Sequence, residues 1–268
     1  MGQRHAADSN SAAQVDRLEA GDRMTSIQAI PVLRISHDEL RRAVLHPAPR
    51  VAVFDCDGTL WNGDAGLGFM TWSMEAGLLS RDASHWIDAR HRLYRQGEVS
   101  EEAICGEMVQ VYAGLREEEM RGAAAKYFAA HVEAQIFPEM RALVDELRAL
   151  GTDIWAVSST NNWVIEEGMR RFGIAAERVL AAEVRVQDGL ITSDLVAVPT
   201  DEGKAEALRR EGIAAPDAVF GNSIHDAAML EIARRAFPVN PTPALLEIAA
   251  QRNWAVFYPA AVLADHTK

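Results

Sequence analysis

The sequence predicts an α/β fold, a doubly wound and mainly parallel sheet whose first strand is followed by an inserted all-helical cap domain. Three observations lead there. Residues 51–54, VAVF, form a short β-branched and aromatic run with no helical period, as in a strand buried on both faces. Between about Gly66 and His131 helical patterns succeed one another with no convincing strand. After Pro138 helix and strand alternate, the order that gives parallel pairing through right-handed crossovers.

Each element can be justified in turn. Residues 1–35 are polar and poor in aromatics, so a flexible N-terminal arm is expected. Structure begins at Ser36, where SHDELRRAVL offers an N-cap and an apolar stripe at Leu40, Val44 and Leu45. The strand VAVF follows and ends at acidic residues and Gly58. GFMTWSMEAGLL, ASHWIDARHRLYRQ, EEAICGEMVQVYAGL and EEEMRGAAAKYFAAHV carry the helical patterns of the insert. Then PEMRALVDELRAL precedes TDIWAVS, NNWVIEEGMRRFG precedes VLAAEVRV, EGKAEALRREG precedes AVFG, and DAAMLEIARR precedes AFPVN. ALLEIAAQ and a last strand, WAVFY, complete the pattern. The expected division is an arm over 1–35, a core over 36–60 and 136–268, and a helical cap over 61–135.

With 49% hydrophobic and 25% charged residues in 268, the chain suffices for one core plus a smaller module. A formal charge of -12 argues against a nucleic-acid partner, which would need lysine and arginine along a phosphate backbone. A small anionic substrate would instead need a locally positive site. Cys56 and Cys105 give no disulfide framework, suit a reducing cytosol and are assigned to packing. No apolar window approaches the roughly 18 residues of a membrane span, and the N-terminus lacks a signal peptide's apolar core. A cytoplasmic protein without a membrane partner is expected. Nothing separates a monomer from a homodimer.

In open α/β sheets ligands bind beyond the carboxyl ends of the strands. Those ends are Asp55-Cys56-Asp57, Ser158-Ser159-Thr160, and Gly221-Asn222-Ser223 with Asp226. Asp55 and Asp57 stand two residues apart where a strand opens into a loop, with Gly58 permitting a tight turn. An ionised Asp can attack a phosphoryl group, and a second carboxyl can protonate the leaving oxygen and then activate water. The same letters also fit an Asx-turn or a calcium site.

Four motifs in order settle which reading to carry forward. DCDGTL resembles the first motif, D-x-D-x-T, of the haloacid-dehalogenase-like (HAD) hydrolase superfamily. Ser158, ending IWAV, resembles the second; Lys204 in DEGKAEALRR resembles the third; and GNSIHDAAML resembles the fourth, usually G-D-x-x-x-D. The likeness spans about residues 50 to 258. The helical insert, the hairpin-like VLAAEVRVQDGLITSDL and FPVNPTPAL make it similar to the phosphoserine-phosphatase-like branch.

The resemblance implies a Rossmann-like core and a phosphoric monoester hydrolase acting on a small-molecule phosphate ester with Mg2+. Asp55 would be the nucleophile and Asp57 the general acid/base. Thr59, Ser158 and the amide of Ser159 would hold the phosphate, with Lys204 balancing its charge. Asp55, the Asp57 carbonyl and Asn222 would ligate the metal, with Asp226 behind them orienting metal-bound water. Asp64, nine positions after Asp55, would contact the substrate's polar end, or else serve as a helix N-cap.

Asn222 departs from the pattern, since the superfamily most often has Asp there. The amide oxygen can still ligate magnesium but one negative charge is lost. A catalytically weakened phosphoester-binding protein and a phosphotransferase are therefore the alternatives. Trp61, Trp72 and Trp86 are assigned to apolar packing and Arg90, Arg92 and Arg95 to a solvated helix face. His225 alone is weak support for acid-base work.

Overall fold

Alternation within the central strands decides the architecture. In the computed structural model, which describes residues 32–265, β1 (Val51–Phe54) sends Ala52 and Phe54 to one face and Val53 to the other, all fully buried. β2 (Asp153–Asn161) does the same with Ile154 and Ala156 against Trp155 and Val157. Burial on both faces is why these strands read as continuous apolar runs. The first face is covered by α1 (His37–Leu45) through Leu40 and Val44, and by α6 (Pro138–Ala149) through Met140, Leu143, Val144 and Leu147.

Four more strands complete the sheet: β3 (Val179–Gln187), β4 (Leu190–Ala197), β5 (Ala218–Gly221) and β6 (Ala236–Pro238). The order is β4-β3-β2-β1-β5-β6, parallel except for β4 against β3. The mainly parallel, doubly wound sheet is as expected. The second face is covered by α8 (Glu202–Arg210), α9 (Ala227–Glu231) and α10 (Pro243–Arg252), through Leu208, Met229, Leu230 and Leu245. Because β1 has β2 on one side and β5 on the other, its carboxyl end is the point where the strand order reverses, and there such sheets bind ligands.

Between β1 and β2 the chain forms α2 (Ala65–Glu75), α3 (Arg81–Arg95), α4 (Glu101–Gln110) and α5 (Glu117–Tyr127), continued by a wider helical turn over Phe128–Val132. Met70, Ile87, Val99 and Ile104 give these helices a core of their own. Entry and exit run side by side: Phe137 N donates to Leu60 O at 3.0 Å and Asn62 N to Gln135 O at 3.0 Å. The insert is also tied to β4, since Gly114 N donates to Ile191 O and Ile191 N to Leu115 O. Trp61 packs edge-on against Phe128, and a Cβ at Gly168 of α7 (Asn162–Arg171) would lie 2.8 Å from both rings, so only glycine fits there.

Two expectations are corrected. WAVFY is no strand: Val256 and Phe257 make isolated bridges to Arg34 and Val239, because no neighbour offers a longer ladder. DAAMLEIARR shortens to the five residues of α9, preceded by a tight turn over Ile224–Asp226 that the Asp226 side chain closes onto the backbone. Of the arm, residues 1–31 lie outside the described residues, and residues 33–35 are held by Val256: Ile35 N donates to its carbonyl at 3.0 Å, and its own N–H donates to Leu33 O at 2.8 Å. Among the described residues no helix is long and apolar enough to cross a membrane.

Candidate active site

Strand register brings the three predicted strand ends together. Phe54 is level with Ala156 of β2 and with Phe220 of β5, so the chain after it passes beside Ser158 and Asn222. Asp55 continues the ladder, its N–H donating to Phe220 O at 2.9 Å. Gly58, at φ +73°, then turns the loop back. A Cβ on Gly58 would lie 1.9 Å from Asn222 Nδ2, so glycine lets the two loops touch.

Asp55 is buried with both oxygens engaged. Lys204 Nζ donates to Oδ1 at 2.8 Å and Thr59 Oγ1 to Oδ2 at 2.9 Å. Lys204, itself buried in α8, also donates to Asp226 Oδ1 at 2.5 Å. Burial works against the ammonium, but Asp226 and Asp55 together outweigh it and hold Lys204 protonated. One ammonium thus serves two buried carboxylates. Burial, and then the Asp226 charge, push the Asp55 carboxyl up to about 6 against the opposing pull of Lys204 and Thr59.

Asp57 lives differently. Trp61 Nε1 and Ala65 N both donate to its Oδ1 at 2.7 Å, and Thr160 Oγ1 donates to its Oδ2 at 2.7 Å. Burial and the neighbouring Asp64 nonetheless push it up to about 7, the Ala65 and Thr160 bonds opposing them. The two acids are separated by environment: Asp55 is ion-paired to the buried Lys204 ammonium, whereas Asp57 is held by the neutral donors of Trp61, Ala65 and Thr160.

The remaining expected residues fall into two groups. Asp55, Asp57, Asp64, Ser159, Lys204 and Asn222 line one cleft of about 380 Å³. Thr59, Ser158 and Asp226 lie behind it. The Thr59 hydroxyl is spent on Asp55, and Ser158 Oγ accepts from Thr160 N at 3.2 Å. Asp226 is fully buried, with Oδ1 on Lys204 and Oδ2 accepting from Asn222 N at 2.8 Å and Ser223 N at 2.9 Å. Its two oxygens are thus held by Lys204 and by the Asn222 and Ser223 amides. Asp64 is the N-cap of α2, accepting from Leu67 N at 2.8 Å, and it faces the cleft as well.

Four residues given no site role from the sequence contribute. Thr160 and Trp61 hold Asp57, and Glu101 and His225 line the cleft. Trp61 follows Thr59 of the first motif by two residues and Thr160 follows Ser158 of the second by two, so adjacency to the motifs was the available signal. Glu101 reaches the cleft only through the packing of the insert. Cys56 is buried as expected, whereas Cys105 opens onto a cavity beside the cleft.

Among the described residues no three His, Cys, Asp or Glu side chains form a metal cluster. The cleft nevertheless offers the Asp55 carboxylate, the Asp57 loop and the Asn222 amide, an all-oxygen set of the kind a hard divalent cation prefers. The buried acids also exceed their single ammonium, a deficit that such a cation would offset. The residues therefore fit a magnesium ion.

A family model described as haloacid dehalogenase-like hydrolase matches residues 52–231. A histidinol-phosphatase of Neisseria meningitidis serogroup C (strain 8013) is 24% identical over 217 residues, 77% of this chain and 97% of that protein. A protein of unknown function from Bordetella pertussis Tohama I has the same fold, with a TM-score of 0.71 at 23% identity over 78% of this chain and 98% of that one. A substrate-bound phosphoserine phosphatase superposes with a TM-score of 0.54 at 18% identity, over 78% and 92%. The family match takes in β1 with its two aspartates, the helical insert, Ser158, Lys204 and the Asn222–Asp226 loop, and the chain belongs to the haloacid dehalogenase-like hydrolases.

Proposed function

We propose that the protein hydrolyses a small phosphomonoester through an aspartyl-phosphate on Asp55. One observation carries this reading: two carboxyls two residues apart at the end of β1 share a cleft but differ in environment, one ion-paired to Lys204 and the other held by the neutral donors of Trp61, Ala65 and Thr160. In the first step an Asp55 oxygen forms a bond to phosphorus, the bond to the leaving oxygen breaks, and Asp57 gives that oxygen its proton. In the second step Asp57 takes a proton from water, the water oxygen bonds to phosphorus, and the Asp55 carboxylate is released.

Lys204 supplies fixed positive charge beside the phosphoryl group, and Thr59 fixes the rotamer of Asp55. Ser159 lines the cleft where phosphoryl oxygens would lie. Trp61, Ala65 and Thr160 hold the Asp57 carboxyl in a single orientation. A magnesium ion would be held by the Asp55 carboxylate, the Asp57 carbonyl and the Asn222 side-chain oxygen, and when bound would neutralise phosphoryl charge. The helical insert acts as a cap that keeps bulk water from the reacting atoms. In this reading the protein works in the cytoplasm.

The relatives named as phosphatases support the same class of reaction. Release of inorganic phosphate from metabolite esters by the purified protein, dependent on added magnesium and abolished in Asp55→Asn, tests the reading. An active Asp55→Asn variant sinks it.

A further inference from the structure

Beside the cleft lies a second, more enclosed cavity of about 80 Å³ between the insert and the end of β2. Asp64, Glu101 and Ser159 line both spaces. A phosphoryl group placed against Asp55 would therefore direct its alcohol part toward this cavity, whose size admits only a short chain.

The chemistry of the wall is one-sided. Asp64 and Glu101 bring two carboxylates, Tyr94 a hydroxyl and His91 a single imidazole, while among the described residues no lysine or arginine lines it. The nearby arginines of α3 are committed elsewhere: Arg90 makes two 2.7 Å bonds to Glu107, and Arg92 pairs with Asp88. Among the described residues Glu101 Oε2 is buried without a hydrogen-bond partner, and His225 Nε2, on the cleft side, stays 3.8 Å away. By surface area Asp64 is exposed, but it sits between protein walls, and burial together with Glu101 raises its carboxyl. Two acids with one unused buried oxygen form a receptor for a cation that brings N–H donors. Trp61, Trp72 and Trp86 do not line this cavity.

We infer that the preferred substrate is a phosphomonoester of a short, protonated amino alcohol that carries no carboxylate, and that Glu101 of the insert is the residue that selects it, together with Asp64. This rests on the phosphatase reading above. A carboxylate on the same amine, as in phosphoserine, would be driven against Asp64 and Glu101 with no cation to receive it.

The test compares kcat/KM for aminoethyl phosphate, its uncharged isostere propyl phosphate, phosphoserine and p-nitrophenyl phosphate. Aminoethyl phosphate should exceed propyl phosphate and phosphoserine by about 10- to 100-fold, the range of a charge-assisted hydrogen bond. In Glu101→Gln the ratio of aminoethyl to propyl ester should collapse toward one, mainly through KM, and Glu101→Lys should shift preference toward phosphoserine. Circular dichroism checks that both variants fold. If the wild type hydrolyses p-nitrophenyl phosphate yet shows no amine preference, the inference is overturned whatever the variants do. A preference that survives Glu101→Gln overturns the assignment of that residue. If no ester is hydrolysed, the phosphatase reading fails first.

Discussion

Asp226→Asn changes almost no volume, yet the structure makes it expensive. Oδ1 of Asp226 receives the Lys204 ammonium at 2.5 Å, and Oδ2 receives the N–H groups of Asn222 and Ser223 at 2.8 and 2.9 Å. Every neighbour is a donor, so the amide nitrogen of Asn must face either an ammonium or two peptide N–H groups. The residue is fully buried and water cannot relieve the clash. Breaking a buried ion pair on one side costs about 3–5 kcal/mol, which lowers the melting temperature by roughly 6–20 °C at this chain length. Asp55 would be left as the only carboxylate on Lys204. Urea unfolding at neutral pH, followed by tryptophan fluorescence, measures the loss. A loss below about 1 kcal/mol, the scale of a solvent-exposed pair, would refute the shared-lysine arrangement.

Gly58→Ala forces a side chain onto a left-handed residue, costing about 1–2 kcal/mol, and drives a Cβ into Asn222; phosphate release should then need more magnesium, read from its concentration dependence. Thr160→Val removes the 2.7 Å bond to Asp57 Oδ2, and kcat should fall about 10- to 100-fold with little change in KM, as for a lost hydrogen bond to a charged group. Asp217 is held below the usual carboxylate range: burial pushes it up, but the N–H groups of Val51 and Arg50 and the charges of Arg50 and Arg234 outweigh it. Its stabilisation is therefore present above the unfolded value near pH ~3.9 and is lost as pH falls through the folded one. Asp217→Asn should be less stable than the wild type at neutral pH, and the gap should close in urea titrations below about pH 4.

The fold was legible where pattern and burial coincide. VAVF, IWAV and AVF are runs buried on both faces, and their common register made the strand ends a sound place to look for Asp55, Ser158 and Asn222. Local patterns failed where tertiary contacts decide. WAVFY has strand composition but no partner strand, and the helix after Asp226 ends at Glu231 because Arg234 N donates to Pro216 O and Arg235 O accepts from Val219 N, which draws that segment toward the sheet. Glu101 sits in an ordinary capped first turn of α4, and only the fold of the insert onto the sheet turns it toward the cavity. Asp64 carried two readings, helix cap and substrate contact; the structure gives it the cap and a position on the wall of both spaces.

Whether Asp55 itself carries the phosphoryl group is the question on which the account turns. Acid-quenching a turning-over reaction with a labelled phosphomonoester and magnesium, then mapping the protein by peptide mass spectrometry, asks it directly. A phosphoryl adduct on the peptide containing Asp55, absent from Asp55→Asn and retained longer in Asp57→Asn, is the expected result. Turnover without any adduct, or an adduct that persists in Asp55→Asn, would contradict it.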